Sequence, residues 1–221
     1  MPKETVFIVS AGEQSGIKDI LAPYDYWKNT RFVGVDKGAA TLLKLGYPLD
    51  LAIGDFDSLP ELELKLIKRT AKYIESFSSI KDDTDTQLAL VRAVLMYPLA
   101  RRFILLGAGG KRMDHFLSNL FMVLEPRFQT VIDQIYFQDK YNEIHFLQAG
   151  THTLKEDKAY QYIGFASLSR VTGFEIQGAK YELPPTNLKQ MVSYPSNEFV
   201  ENEDIMVRLS SGIIAVIRSK D

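Results

Sequence analysis

The chain has 221 residues, of which 46% are hydrophobic and 24% charged, with 26 Lys and Arg against 28 Asp and Glu and no cysteine. This composition is typical of a folded globular protein, and the lack of cysteine excludes disulfides, thiolate metal sites and cysteine nucleophiles. A formal net charge of −2 argues against a nucleic-acid binder, which normally carries a basic surplus. The sequence shows neither a membrane span nor a signal peptide, so we expect a cytoplasmic protein.

Residues 1–128 alternate short apolar segments with helical patterns. Nearly continuous hydrophobicity predicts buried parallel strands at 5–10, 31–35, 51–53, 72–75 and 102–106. Apolar residues at helical spacing predict helices between and after them, at 38–45, 62–69, 84–96 and 113–124. Alternation of strands and helices predicts an N-terminal α/β domain with a parallel, Rossmann-like sheet covered by helices.

From residue 129 to 221 the pattern changes to short alternating segments separated by turn residues. These segments predict strands at 131–137, 143–147, 162–167, 171–176, 179–183, 197–200, 205–209 and 213–217. No helix of more than two turns is predicted here. The second domain is therefore predicted as an antiparallel β-sandwich, with a barrel as the related possibility.

Acidic residues follow four successive predicted strands of the first domain. They are Asp36, the pair Asp55 and Asp57, the group Asp82, Asp83 and Asp85, and Asp114. Because ligands of open parallel sheets bind outside the carboxyl ends of the strands, these carboxylates are expected along one edge of a site. Alternate carboxylates such as Asp55 and Asp57 suit Mg²⁺, which is held by a few carboxylates together with phosphate oxygens.

Helix capping is the competing explanation for part of this pattern. Ser58 with Glu61, and Thr84 with Gln87, have the spacing of a capping box, so Ser58 and Thr84 are predicted as N-caps. Asp85 then falls in the first helical turn, where the helix dipole favours an acid in any protein. Capping accounts for one acid in each loop but not for the others.

Two interpretations are open for the segment Gly107–Gly110. It is either a phosphate cradle, in which glycines let backbone N–H groups approach an anion, or a tight turn from strand to helix. The cations Lys81, Lys111 and Arg112 favour phosphate, because they can neutralise phosphoryl oxygens. His115 is more consistent with a hydrogen-bonded structural residue than with a base.

Taken in order, these segments resemble the thiamin pyrophosphokinase family. The resemblance rests on residues 36–39, 54–58, 81–85, 107–115 with Asn119, 178–183 and 196–198, and it spans nearly the whole chain. It implies an enzyme that transfers the terminal pyrophosphate of ATP to the thiamin hydroxyl with Mg²⁺, releasing AMP. It also implies a homodimer in which thiamin lies between the α/β catalytic domain of one subunit (1–128) and the β-sandwich of the other (129–221).

The resemblance also implies roles for individual residues. The catalytic set is Asp55, Asp57, Asp85, Lys81 and Arg112, with Mg²⁺ held by Asp55, Asp57 and Asp85. The ATP side is Asp36, Gly107, Gly109, Gly110, Lys111, Asp114, His115 and Asn119, and the thiamin side is Ser196 and Asn197. Lys37 and Lys111 stand where the family usually has glycine. The second domain has no tryptophan, so the candidates for stacking on thiamin are Phe165, Tyr181, Tyr194 and Phe199.

Two other functions compete with this one. A glycosyltransferase that uses Mg²⁺ and a nucleotide sugar would explain Asp55 and Asp57, but not the segment 81–85 or the β domain. A non-catalytic thiamin- or nucleotide-binding module would bind these ligands without turnover. AMP release from ATP and thiamin separates both from the diphosphotransferase.

Overall fold

The computed structural model describes residues 4–24, 29–77, 82–110 and 112–221. The chain forms two compact units, the first comprising Met1–Val123 and Ile135–Lys140, the second Leu124–Gln134 and Tyr141–Asp221. Within the described ranges, no helix is long and apolar enough to cross a membrane.

The first unit is built on a parallel sheet. Its strands are β1 (Thr5–Val9), β2 (Thr30–Val35), β3 (Leu51–Gly54), β4 (Tyr73–Ser76), β5 (Arg102–Leu106) and β6 (Ile135–Gln138). Its helices are α1 (Ile17–Leu21), α2 (Lys37–Lys44), α3 (Glu61–Thr70), α4 (Asp85–Met96) and α5 (Met113–Met122). The strand order is β6-β5-β1-β2-β3-β4, and the pairings are parallel throughout. The predicted parallel α/β architecture is confirmed.

Burial on both faces explains why these strands are apolar without alternation. In β1, Phe7 and Val9 join a core cluster with residues of α1, α2 and α3, while Val6 and Ile8 are equally buried. Because successive side chains of a strand point to opposite faces, Val6 and Ile8 face the side on which α4 packs against β1, β2, β3 and β5. The strand order reverses between β1 and β5, and such a reversal leaves a crevice at the carboxyl ends of the strands.

The second unit is an antiparallel β-sandwich, as predicted. Its strands are β7 (Asn142–Leu147), β8 (Gly150–Leu154), β9 (Tyr162–Ser167), β10 (Val171–Gln177), β11 (Leu183–Leu188), β12 (Ser193–Asn197), β13 (Ile205–Leu209) and β14 (Ile214–Ser219). They form two layers, ordered β12-β9-β14-β7 and β11-β10-β13-β8. Side chains from both layers, including Phe165, Phe174 and Val207, make one buried core.

Several predicted strands of the second half are wrong in detail. The strand predicted at 131–137 is a 3₁₀ turn at Ile132–Gln134 followed by β6, which pairs parallel with β5 in the first unit. The strands predicted at 179–183 and 197–200 lie instead at β11 and β12. These two strands contain Pro184, Pro185 and Pro195, which obscure a strand pattern but are tolerated because both strands lie at sheet edges. Neither α1 nor β8 was predicted.

The two predicted helix caps have different outcomes. Thr84 caps α4: its Oγ1 accepts from the Gln87 N–H at 3.2 Å, and the Gln87 side chain accepts from the Thr84 N–H at 2.8 Å. The predicted Ser58 cap is wrong, because α3 begins at Glu61 with Pro60 at the N-cap position and no side-chain cap. Proline has no side-chain acceptor, so the first N–H groups of α3 are not capped by the side chain of the residue at this position.

Candidate functional site

A cavity of about 580 Å³ opens in the first unit at the crevice between β1 and β5. Its walls come from the segments that follow the strands, from the start of α4 and from α5. The lining residues are Ser10, Ala11, Gly12, Val35, Asp36, Asp83, Thr84, Asp85, Thr86, Gly107, Ala108, Gly109, Arg112, His115 and Asn119. Of the predicted site residues, the cavity therefore brings together Asp36, Asp85, Gly107, Gly109, Arg112, His115 and Asn119.

The glycine-rich wall is fixed from two sides. The N–H of Gly12 donates to the Gly107 carbonyl at 3.0 Å, and a Cβ on Gly12 would lie 2.3 Å from that same oxygen. From the other side, buried Asn119 donates from Nδ2 to the Ala108 carbonyl at 2.7 Å. Asn119 therefore holds the shape of the wall, which is a contribution that the sequence pattern did not specify.

The three predicted glycines of this wall are required for different reasons. Gly107 and Gly110 have φ of +65° and +105°, where a side chain is strained, so a tight turn accounts for both. Gly109 has no such φ, and a Cβ there would meet only a ring carbon of Phe116 at 3.6 Å, an ordinary contact. The turn alone does not explain Gly109.

Carboxylates form another part of the cavity lining. Asp83 and Asp85 lie beside the capped start of α4. Asp36 follows β2 with φ +48°, an unusual value for a non-glycine residue, and its Oδ1 accepts from the Phe56 N–H at 3.2 Å. Unusual backbone angles that the surroundings enforce are frequent at functional sites.

The predicted metal ligands are only partly gathered. Asp85 lines the cavity, whereas Asp55 and Asp57 lie on the neighbouring loop after β3, where Asp55 Oδ1 accepts from the Asp57 N–H at 3.1 Å. Among the described residues, no three His, Asp or Glu side chains converge on one metal position. The donors are nevertheless oxygens only, and Mg²⁺ is normally held by one or two carboxylates plus substrate phosphates, so the residues present fit it.

At the start of α5, Arg112 and Asp114 form a two-pronged ion pair. Arg112 Nη2 lies 2.5 Å from Asp114 Oδ2, and Nε donates to Oδ1 at 3.2 Å. This hydrogen bond lowers the pKa of Asp114 and raises the pKa of Arg112, so both stay charged. Both side chains are exposed, so the pair directs the guanidinium more than it stabilises the fold. Lys81 and Lys111 lie outside the described residues.

In the second unit, Asn197 is buried, and both the oxygen and the nitrogen of its side-chain amide are hydrogen-bonded. Its Oδ1 accepts from the N–H groups of Tyr181 and Glu198, both at 2.9 Å, and its Nδ2 donates to the Tyr181 carbonyl at 2.7 Å. Lys180 and Glu198 add an ion pair of 2.6 Å beside it, which raises the pKa of Lys180. Asn197 thus holds Tyr181 in place, while its neighbour Ser196 is exposed with φ +59°.

Sequence reasoning missed the wall made by Ser10, Ala11, Gly12 and Thr86. The signal at the other strands was an acidic residue, and no acid lies between the end of β1 and Gly12. A glycine three residues after the first strand was the available signal, because the carboxyl end of that strand belongs to the same edge of the sheet.

The chain is similar to known proteins over nearly its whole length. The family description "Thiamin pyrophosphokinase, catalytic domain" matches residues 24–134, and "Thiamin pyrophosphokinase, vitamin B1 binding domain" matches residues 151–214. The chain is 33% identical to "Thiamine pyrophosphokinase" of Bacillus subtilis (strain 168) over 223 residues, covering 99% of this chain and all of that one. It is similar to a crystal structure of a thiamin pyrophosphokinase family protein from Enterococcus faecalis, with a TM-score of 0.90, 38% identity, and coverage of 99% and 100%. It is also similar to the crystal structure of thiamin pyrophosphokinase from Geobacillus thermodenitrificans, with a TM-score of 0.83, 32% identity and 98% coverage of both chains.

Proposed function

The chain belongs to the thiamin pyrophosphokinase family, which makes it an ATP:thiamin diphosphotransferase, and we propose that the cavity of the first unit is where ATP reacts. The observation that carries this proposal is that one cavity has two kinds of wall, the glycine backbone at 107–109 with Arg112 forming one and Asp36 with Asp85 forming the other. The first wall suits phosphate oxygens, and the second suits the cation that accompanies them.

In the reaction, the thiamin hydroxyl oxygen attacks the β-phosphorus of ATP and forms a new P–O bond. The bond between the β-phosphorus and the oxygen bridging it to the α-phosphorus breaks, and AMP leaves with that oxygen. Charge gathers on phosphate oxygens, so positioning and electrostatics dominate catalysis. Arg112 faces that charge, and a carboxylate of the acidic wall accepts the hydroxyl proton.

Mg²⁺ would be held by Asp85 with Asp55 and Asp57, and Asp36 braces the adjoining loop through the Phe56 N–H. When bound, Mg²⁺ neutralises phosphate charge and orients the transferred group. Asp114 supports the site through Arg112, and His115 and Asn119 complete the ATP side.

The experiment that tests this function is AMP release from ATP, with and without thiamin, by the purified full chain. Thiamin-dependent AMP and thiamin diphosphate in equal amounts are expected. Binding of ATP and thiamin without AMP would instead indicate a binding module, and hydrolysis of a nucleotide sugar would indicate the glycosyltransferase.

Gly109 separates the two interpretations of the glycine-rich segment. Gly109→Ala is expected to leave the melting temperature unchanged, because the added Cβ makes only an ordinary contact. If the backbone here approaches phosphate, the methyl group blocks that approach, and KM for ATP is expected to rise about tenfold, roughly 1.4 kcal/mol. Unchanged KM in a stable variant would favour the turn interpretation.

For the thiamin side, we propose that residues 129–221 supply the aromatic contact through Tyr181. Of the four aromatic candidates, Phe165 is fully buried, while Tyr194 and Phe199 pack against the sandwich core. Tyr181 is 60% exposed, and Asn197 anchors both its N–H and its carbonyl. Asn197 then acts through Tyr181, with Ser196 at the exposed edge of the same segment.

Tyr181→Ala is expected to raise KM for thiamin about tenfold and to leave KM for ATP unchanged. A tenfold change corresponds to about 1.4 kcal/mol, which lies within the roughly 1–3 kcal/mol of one aromatic stacking contact. Tyr181→Phe keeps the ring and is expected to behave as wild type. Tyr141→Ala, which removes another exposed tyrosine of the same unit, is the matched control. Equal KM for thiamin in Tyr181→Ala and Tyr141→Ala would rule out the assignment.

We further propose a cytoplasmic homodimer with its active site at the subunit interface. The support is a stripe on α5 formed by Met113, Leu117 and Phe121, one helical turn apart and all exposed. Exposed apolar patches of this kind mark interaction surfaces. The stripe begins beside Arg112 of the cavity wall.

Leu117→Glu is expected to convert the dimer to a monomer, because a charge in an apolar interface loses its water without gaining a partner. Light scattering coupled to size-exclusion chromatography gives the mass directly. Leu62→Glu changes an exposed leucine of α3 and is expected to stay dimeric. A wild-type monomer, or a dimeric Leu117→Glu, would contradict the proposal.

A further inference from the structure

Two hydroxyl side chains meet in the wall of the cavity. Ser10 directly follows β1, and Thr86 lies in the first turn of α4; their side-chain oxygens are 3.0 Å apart. Ser10 is 4% exposed and Thr86 9%, and both line the cavity.

The packing of the fold does not require this pair. The neighbouring residues Val9, Leu106 and Ala89 are fully buried and apolar, so an apolar pair of similar shape would fit the same surroundings. Replacing both partners of a buried hydrogen bond by apolar groups is often nearly neutral for stability. An apolar replacement of both residues is therefore expected to leave the free energy of unfolding nearly unchanged, so stability alone does not account for the two hydroxyls.

The Ser10–Thr86 pair has one more hydroxyl hydrogen than the hydrogen bond between the two residues uses. Each hydroxyl has one hydrogen to donate, and the bond between them uses one of the two. Among the described residues, neither oxygen makes another hydrogen bond. One buried O–H group thus lacks an acceptor, which is unfavourable unless something in the cavity supplies one.

We infer that the Ser10–Thr86 pair donates one hydrogen bond to an acceptor oxygen of the nucleotide. The pair thereby contributes to the binding and positioning of ATP and not to the binding of thiamin. This rests on the proposed function. The pair lies where β1 ends beside β5, at the strand-order reversal where nucleotides bind in open parallel sheets. It also lies in the same cavity as the glycine wall and Arg112, which suit phosphate groups.

The test uses Ser10→Ala, Thr86→Val and the double variant, with Thr86→Ser as the conservative control. The double variant is expected to raise KM for ATP, and Kd for a non-hydrolysable ATP analogue, about tenfold, as expected for one hydrogen bond. One single variant alone is expected to reproduce this loss, because only one hydroxyl can face the nucleotide. KM for thiamin is expected to stay within about twofold, the melting temperature to be unchanged, and Thr86→Ser to bind as wild type.

A double variant with normal melting temperature and wild-type affinity for the analogue would overturn the inference, as would an equal rise of KM for thiamin. Loss of melting temperature with unchanged analogue affinity would assign the pair to stability alone. Analogue binding also separates this inference from the proposed function. If the wild type forms no AMP but the double variant still weakens analogue binding, the function fails and the nucleotide contact stands.

Discussion

Replacing Asp85 by asparagine is expected to lower AMP formation about 1,000-fold, roughly 4 kcal/mol of transition-state stabilisation. The substitution keeps the shape of the side chain but removes a charge that lines the cavity and that we assign to Mg²⁺. The fold should be nearly unaffected, because the acid contributes only about 0.3–1 kcal/mol at a helix start. The Thr84 capping box, which defines that start, is left intact.

A matched control is Asp19→Asn, which removes an exposed acid from the first turn of α1. This substitution removes the same kind of helix-dipole interaction at a position away from the cavity, so the variant should have the activity of wild type. Asp57→Asn tests the same metal set from the neighbouring loop and is expected to abolish AMP formation with little loss of fold. Wild-type turnover in either Asp85→Asn or Asp57→Asn would remove that residue from the metal site.

Gly12→Ala is expected to lower kcat/KM for ATP about 100-fold, because misplacing a positioning group by about 1 Å has an effect of that size. The new Cβ would lie 2.3 Å from the Gly107 carbonyl oxygen and 2.7 Å from that of Gly109. Both are backbone atoms, so the glycine wall itself must move. Forced repacking of this kind destabilises by about 1–3 kcal/mol, and the melting temperature is expected to fall by several degrees.

Gly46→Ala separates lost stability from lost activity. Gly46 has φ +81°, so alanine is strained there, but no atom lies within 4 Å of the added Cβ. This variant should lose about 1 kcal/mol of stability and keep full AMP formation. If both variants lose activity in proportion to their melting temperatures, the glycine wall has no special role in the reaction.

The acidic pattern was readable from sequence because it depends on a topological regularity. Once strands and helices alternate, the carboxyl ends of the strands meet, and Asp36 and Asp85 were placed at one site on that basis alone. The spacing could not tell a side chain that lines the cavity from one that turns within its own loop. Asp55 turns within its own loop, where it accepts from the Asp57 N–H, and this contact depends on backbone angles that no sequence pattern encodes.

Contacts between segments that are far apart along the chain could not be predicted from the sequence. Asn119 was predicted on the ATP side, but its bond to the Ala108 carbonyl needs the full turn between β5 and α5. Asn197 and Tyr181 are 16 residues apart and meet through backbone atoms. The Ser10–Thr86 pair joins residues 76 positions apart, and neither residue type is informative alone.

The prolines of the β-sandwich edges also bear on how copies of this chain meet one another. Pro184, Pro185 and Pro195 remove three backbone N–H donors from the edge strands β11 and β12. A second chain, folded or newly synthesised, therefore finds an interrupted template for strand addition at these edges, and edge prolines are one means by which β-sheet proteins limit edge-to-edge aggregation. Self-association through these two edges is disfavoured, and recognition between subunits is left to side-chain surfaces such as the α5 stripe.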